Sequence, residues 1–488
     1  MELTNEQWAI INAPEHILKV NAVAGSGKTT TLLEYAKRRP KQRFLYLTFN
    51  KSSSDEMKKK CLVANLDHIT VQTFHALAYY YANGRYYELI QDLSEWTIFD
   101  GYVKAELDEK RDNLLLISWL IKDMMVFYLN SSLFYIDETL LARYRNETRP
   151  QNQVDRLLSG YAEFILKTIK SILTKMKQCE IPAIHDFYLK MFHLSKPILY
   201  YDIILIDEAQ DLSGVMLEVL KMQEASRIFV GDTFQQIYAF RYAINALDQI
   251  DCIAYALTQT FRFDDVLARQ ISKMVNRGYS ILNDRAHFLK IKGRQEKSEC
   301  LAGERQQIAV ISRSVLKLFN EIANYLVGDL KFYFEGGYES YGFMNARVFS
   351  VLYLYQGEVD KISDPFIRRF SRFRALRDFA KTSQNRQLLN TCDLVQTYRE
   401  GLFDINRKIK QRLVSKEVAD VIFTTTHKAK GQEYQSVQMV KEDFITREQL
   451  EKAVKKPDEC HFHQLREEIN IFYVAATRAR DKISLHKF

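Results

Sequence analysis

Short apolar runs separated by stretches of helical spacing organise the first part of the chain. Residues 18–22 read as a strand, a glycine-containing turn follows, and TTTLLEYAKRR repeats its apolar positions at helical intervals. FLYLTF at 44–49 predicts the next strand, and apolar runs at 201–206 and 227–230 continue the pattern of strands buried on both faces. Such alternation predicts an α/β architecture with helices covering a parallel sheet. Between about 85 and 198 the pattern changes to long helical segments, such as 114–129 and 154–176, which read as a helical insertion. A second α/β unit is expected after Thr258, with strands at 308–312, 331–335 and 421–425. Its middle, 356–414, is helical in pattern and rich in Arg and Lys, suggesting a second, smaller insertion. The expected division is 1–84 with 199–257 as one unit and 85–198 as its insertion, then 258–355 with 415–488 as a second unit and 356–414 as its insertion. No repeat, heptad run or low-complexity linker interrupts this order.

The chain has 488 residues, and at roughly 150 residues per domain that is material for about three domains. Apolar residues make up 47% and charged residues 27%, a balance that disfavours long disordered tracts. A net charge of +8 favours a polyanionic partner, though charge alone does not identify one. MELTNEQWAI carries no basic segment leading into an apolar stretch, so a cytoplasmic protein in a bacterium, or a nuclear one in a eukaryote, is expected over a secreted one. Lys122 and Asp123 interrupt the apolar run at 114–129, which therefore reads as a buried helix, and no membrane partner is expected. The six cysteines lie far apart without a C-x-x-C pair, so neither a disulfide framework nor a structural metal is expected. Cys460-His461-Phe462-His463 has metal-capable atoms but no second pair nearby to complete four ligands.

The chemistry is concentrated in a few segments. AVAGSGKTT at 22–30 lies between a strand and a helix, where a phosphate-binding loop belongs. Backbone N–H groups of Ala24, Gly25, Ser26 and Gly27 can close around phosphates. Lys28 can reach the β- and γ-phosphates, the Thr29 hydroxyl can ligate Mg²⁺, and Thr30 completes the loop. Ala22 stands where the general pattern has its first glycine. YDIILIDEAQ ends in Asp207 and Glu208 at the carboxyl edge of the predicted sheet. Taken alone, such a pair is more often a helix N-terminal charge pair. With the phosphate loop upstream, Asp207 suits the Mg²⁺ shell and Glu208 suits a base for the attacking water.

Four further segments narrow the choice: GDTFQQIYAFR at 231–241, TQTFRF at 258–263, THKAKGQEY at 426–434 and YVAATRARDKI at 473–483. In this order, over residues 3 to 485, they resemble the motifs of UvrD/Rep-type superfamily 1 helicases. LTFNKS at 47–52, QTFHALAY at 72–79, EGGYESYGF at 335–343 and DPFIRRF at 364–370 look most like the F-box DNA helicase family, and the chain is expected to lack the F-box itself. The resemblance implies two RecA-like P-loop motor domains, each with a mainly helical insertion, and ATP with Mg²⁺ in the cleft between them. It implies that Gln7 recognises adenine, Phe261 stacks on it and Glu433 meets the ribose. It further implies that Gln235 senses the γ-phosphate, and that Arg262 and Arg478 reach that phosphate from the second motor domain, where a planar cation can offset transition-state charge. Phe49, Tyr238 and Phe240 correspond to rings on which bases stack, a contact that tolerates any sequence. Thr73, His75 and His427 correspond to backbone contacts, and Arg241 to a phosphate contact.

The activity so implied is ATP-driven movement, 3′ to 5′, on single-stranded DNA and at single-strand/duplex junctions, in repair or recombination. The residues after Arg478 hold no separating hairpin and the second insertion is short, so translocation or stripping of bound proteins is expected over processive unwinding. A translocase that displaces recombinase filaments, an RNA-directed superfamily 1 enzyme and a non-enzymatic binding module are the alternatives.

Overall fold

The computed structural model describes residues 2–81, 88–90, 92–148, 150–239, 242–295, 307–343, 345–455 and 462–484. Phe240, Arg241, Cys300, Cys460 and His461, singled out above, lie outside the described residues.

Six parallel strands form the first sheet, in the order Ile69–Thr73, Phe44–Thr48, Ile203–Ile206, Ser226–Gly231, Ile17–Ala22 and Ile253–Leu257. Phe44–Thr48 and Ile203–Ile206 are buried at every residue, as expected of β-branched and aromatic runs flanked on both edges and both faces. Ile253–Leu257 closes one edge and is mostly exposed. The strands that end at Ile206, Gly231 and Ala22 are immediate neighbours. Because all run parallel, the loops that follow them emerge together at one sheet edge, the place where such folds bind ligands.

Helices dominate between Ile69–Thr73 and Ile203–Ile206. Arg111–Asn130 buries 13 of its residues on almost every side, packed among Asn152–Gly160, Ala162–Lys177 and His185–Leu194. The expected buried helix at 114–129 lies inside it. The segment expected to be continuously helical at 154–176 breaks after Gly160, and Tyr161 takes φ −123° and ψ 23°. Glycine is a poor helix interior residue, and the Tyr161 hydroxyl donates to Glu109 instead of following a continuous helix face.

A second sheet of five parallel strands runs Phe332–Phe334, Val421–Thr425, Ile308–Ser312, Tyr434–Met439, Ala479–Ser484. Helices Asp265–Ile281 and Phe462–Ala476 pack together beside it, and Ala346–Gln356, Phe373–Thr382, Arg386–Tyr398 and Gly401–Lys410 fill the stretch from 346 to 410. Val23, Ala24, Phe234 and Ile237, from loops of the first sheet, share one buried cluster with Phe263, Leu267, Phe472 and Tyr473. The loops of one sheet are thus packed into the core of the other. Among the described residues no helix is long and apolar enough to cross a membrane.

Candidate active site

Gly25 and Gly27 make the loop after the first strand possible. Both adopt left-handed φ, +74° and +80°, which favours residues without a Cβ. A Cβ on Gly25 would lie 2.7 Å from both the Arg262 Cβ and the Thr260 Oγ1, so the second unit is pressed against the loop. Hydrogen bonds tie the two: the Thr260 hydroxyl donates to the Ala24 carbonyl at 2.7 Å, the Phe261 amide to the Gly25 carbonyl at 2.8 Å, and the Ala24 amide to the Tyr473 hydroxyl at 3.0 Å. The helix opens at Lys28, and its N-terminal amides point into the loop. Ser26 is buried with its hydroxyl oxygen unpartnered. An orphaned polar atom beside two left-handed glycines and a helix N-terminus fits an anionic phosphate.

Lys28 Nζ donates to Glu208 Oε1 at 2.9 Å. Burial works against the lysine charge, but Glu208, Asp207 and Asp232 outweigh it and raise its pKa. Burial likewise opposes the Glu208 charge, yet Lys28 and Lys430 draw that carboxyl down to about 2, so it is ionised. Asp207 is pushed the other way, by burial and by the neighbouring Glu208 charge. Its Oδ2 accepts from the Tyr46 hydroxyl at 3.0 Å and its Oδ1 from the Glu208 amide at 2.9 Å. Glu208 takes a left-handed φ of 55°, a strained conformation for a non-glycine residue held here by the surrounding bonds. Thr29 is half-buried and Thr30 exposed at the start of the helix. Thr29 and Asp207, a hydroxyl and a carboxylate oxygen beside the phosphate loop, suit Mg²⁺ by donor chemistry.

Gln235 lies in the loop after Ser226–Gly231, and its side-chain amide donates to Asp232 Oδ2 at 2.7 Å. The same oxygen accepts from the Tyr473 hydroxyl at 3.0 Å. Asp232, fully buried and with its pKa raised by that burial, thus joins Gln235 through Tyr473 to the Ala24 amide. Arg262 grips Glu433 at 2.8 Å and donates to the Thr477 carbonyl at 2.8 Å. Arg478 is 1% exposed and, among the described residues, bonds only neutral oxygens, the Val474 and Gln432 carbonyls and the Thr477 hydroxyl. Burial, then the nearby Arg262 charge, lowers its pKa to about 9. A buried cation without a carboxylate partner suits an anion brought by a ligand. Gln7 is buried, donates to the Thr31 hydroxyl at 3.1 Å and closes a capping box with Thr4. A Cβ on Gly27 would lie 2.9 Å from Gln7 Nε2 and 3.6 Å from the Phe261 ring, so these two side chains flank the loop together. Glu433 is engaged by Arg262 and Arg480.

Along the same edge, the rings of Phe49 and Tyr238 stack with centroids 5.3 Å apart and planes 18° from parallel. His427 donates through Nε2 to the Ile237 carbonyl, 3.1 Å away, and its pKa is lowered to about 4, first by burial and then by Arg313. Thr48 pairs in register with Thr73, so Phe49 and Thr73 leave adjacent strands at one edge. Thr73 caps the helix that follows by accepting from the Ala76 amide, and His75 lies 3.6 Å from Asp186.

Four participants escaped the sequence reading although each lies in a motif quoted above or beside one: Asp232, Tyr473, Asp211 and Lys430. Lys430 pairs with buried Asp211 and donates to the Gln235 carbonyl at 2.9 Å, bridging the two sheets. Nothing in residue type or spacing distinguishes these groups, because the contacts that join them, Tyr473 to Asp232 and Lys430 to Asp211, run between distant parts of the chain.

A glycine-bearing loop between strand and helix, with its lysine against acidic residues at the end of the next strand but one in the sheet, defines a P-loop nucleotide-binding protein. The chain belongs to the UvrD/REP helicase N-terminal domain family, whose sequence model matches residues 3–250. It is similar to "F-box DNA helicase 1" of Gallus gallus, 27% identical over 98% of this chain and 48% of the relative. It is also similar to "F-box DNA helicase protein 1" of Schizosaccharomyces pombe, 28% identical over 99% of this chain and 57% of the relative. The chain spans about half the length of the curated relatives it matches.

Proposed function

We propose that this protein is an ATP-driven motor that moves 3′ to 5′ on single-stranded DNA, using its steps to open duplex or displace bound proteins in repair or recombination. The motor consists of two RecA-like domains, residues 1–84 with 199–257 and residues 258–355 with 415–488, carrying helical insertions at 85–198 and 356–414. The observation that carries this reading is the direct bonding of the phosphate loop to the second unit, through Thr260, Phe261 and Tyr473. A nucleotide in that loop touches both units, so its hydrolysis can change how they fit. The names of the relatives support DNA as the track.

Each residue has a physical role in this reading. Lys28 is held by Glu208; when phosphates take up Lys28, Glu208 loses its strongest partner and becomes more basic, ready to accept a proton from the attacking water. Thr29 and Asp207 would hold Mg²⁺, which would supply neutralising charge at the phosphates. Arg262 and Arg478 stabilise charge that develops on the transferred phosphoryl group. Gln7 and Phe261 hold the adenine and Glu433 the ribose. Gln235, anchored on Asp232, senses the γ-phosphate three residues before Tyr238. Phe49 and Tyr238, with Phe240, stack on bases; Thr73, His75, Arg241 and His427 hold the backbone. A cavity of about 1900 Å³ lined by Gln236, Ala239, Tyr341, Arg386, His427 and Lys428 lies beside these residues and suits a single strand.

The decisive experiment measures ATP hydrolysis with and without single-stranded DNA, beside Lys28→Ala and Glu208→Gln. Strong stimulation in the wild type and loss of at least a hundredfold in both variants is expected. Hydrolysis indifferent to DNA would leave an ATPase but overturn the motor.

A further inference from the structure

The stretch of described residues 235–239 and 242–244 joins the two chemistries of the proposed motor, since it carries both the γ-phosphate sensor and the stacking ring of Tyr238, and the Tyr242 amide donates back to the Ala239 carbonyl at 2.9 Å. Its first end is fixed by the Gln235–Asp232 bond at 2.7 Å. Its far end is fixed where Ala243 bridges Ser213 and the Ile244 amide donates to the Leu212 carbonyl at 2.7 Å. Between them stands Tyr242, with a left-handed φ of 57°. A left-handed backbone is unfavourable for a bulky aromatic residue, so something must hold it there.

The holder belongs to the helical insertion. The Tyr242 hydroxyl donates to Asp123 Oδ1 at 3.1 Å, and the Tyr144 hydroxyl donates to Asp123 Oδ2 at 2.6 Å. The Tyr242 ring also meets Phe127 edge-on, with centroids 5.2 Å apart. Asp123 and Phe127 lie one turn apart on helix Arg111–Asn130, so one face of that helix receives both the ring and its hydroxyl. A carboxylate with both oxygens committed to tyrosine hydroxyls, and among the described residues no cation bonded to it, is an oriented acceptor; packing alone would be served by an apolar residue. Asp123, Tyr144 and Tyr242 all line the large cavity that also borders Gln236 and His427.

We propose that Tyr242 and Asp123 form a latch through which the helical insertion holds the Gln235–Tyr238 segment in the geometry that lets strand binding accelerate hydrolysis. Both are positioning residues, and the inference rests on the motor reading above. When a strand enters the cavity it meets the insertion and the segment together. The latch keeps them moving as one body, so that a base against Tyr238 is felt at Gln235, three residues earlier in the chain. Without the latch, the strained turn at Tyr242 is free to relax and the base contact no longer reaches the sensor.

The test uses the full chain and oligothymidylate. Tyr242→Phe removes one hydroxyl and keeps the ring, Asp123→Asn keeps the shape of the acceptor, and Tyr242→Gly removes the latch while accommodating the left-handed turn without strain. Hydrolysis without DNA is expected to stay within about twofold of wild type in all three. The maximal DNA-stimulated rate should fall about tenfold, with the KM for ATP little changed. The Tyr242→Phe/Asp123→Asn double variant should lose no more than the worse single, as members of one bond must. Equal stimulation of wild type and variants would overturn the latch alone. So would a fall in the basal and stimulated rates by the same factor, tracking lost thermal stability, because that marks a merely structural contact. A wild type that DNA does not stimulate overturns the motor reading and the latch with it.

Discussion

At the residue scale, the phosphate loop shows how closely two units can be fitted around one atom. Gly25 has both a left-handed backbone and no room for a Cβ, since Arg262 Cβ and Thr260 Oγ1 each lie 2.7 Å from where it would sit. The contact on Arg262 is with its inflexible first carbon, so the neighbour cannot swing away. Gly25→Ala should therefore push the 260–262 segment off the loop as well as strain the turn, destabilising by about 2 kcal/mol. Hydrolysis should fall at least a hundredfold, because the displaced segment carries Arg262. ATP turnover with a denaturation curve checks both; a variant with normal turnover would show that the Arg262 contact is dispensable. Asp232 sits at the same level of detail. It accepts from Gln235 and Tyr473 through one oxygen, so Tyr473→Phe should weaken the tie between Gln235 and the loop at little cost in packing.

At the element scale, short helices at the seam between the units are held by charge. His287, in the one-turn helix Arg285–His287, lies 2.7 Å from Asp284 and 3.7 Å from Asp248 of helix Ala246–Gln249. Arg466 of Phe462–Ala476 also reaches Asp284, at 2.6 Å, and Tyr279 stacks on the imidazole. The bond to Asp248, and then Asp284, push the His287 pKa up to about 9 against the opposing effect of burial. With the folded pKa above the ordinary value near 6.5, the stabilisation is complete below about pH 6.5 and is lost as pH rises through about 9. The side chain is 28% exposed, which leaves roughly 1 to 2 kcal/mol after screening by solvent. His287→Gln should shift the denaturation midpoint at pH 6 and lose its effect by about pH 10; a difference independent of pH would exclude the ion pairs as its source.

The elements legible from sequence were those whose environment is uniform along their length. Phe44–Thr48, Ile203–Ile206 and the buried helix Arg111–Asn130 are apolar because every side is covered. Three edge strands, Ile69–Thr73, Ile253–Leu257 and Ala479–Ser484, and the interior but only partly buried strand Tyr434–Met439 escaped for the opposite reason: part of each faces solvent, so their sequences resemble ordinary surface segments. The edge strand Phe332–Phe334, by contrast, was legible at 331–335 because its residues are all apolar and largely covered. Lys28, Asp207 and Glu208 could be singled out because each follows a recognisable strand. Asp232, Asp211 and Lys430 could not, since what makes them important is a contact some 200 residues away in the chain.

At the scale of the whole molecule, the two sheets and the helical stretches at 111–194 and 346–410 surround the cavity of about 1900 Å³, and basic side chains including Arg143, Arg313, Arg347, Arg386, Lys428 and Arg466 line it. Acidic residues line it too, and several of these cations are already spent: Arg313 on Glu468, Arg347 on Asp364, Arg466 on Asp284. Lys428 differs, because its ammonium donates to the Ser340 hydroxyl and lies 4.6 Å over the Tyr341 ring, with burial lowering its pKa. A phosphate replacing that hydroxyl gains a charged partner and releases a counterion, whereas an acidic residue there repels the strand. Lys428→Glu is therefore expected to weaken binding of single-stranded DNA about tenfold at moderate salt. The slope of log affinity against log salt should shrink by roughly 0.7, the value for one phosphate contact on a single strand. Fluorescence anisotropy over a salt series measures both quantities. If affinity falls with the slope unchanged, Lys428 acts through Tyr341 and the shape of the wall; if neither moves, the strand takes another path across the molecule.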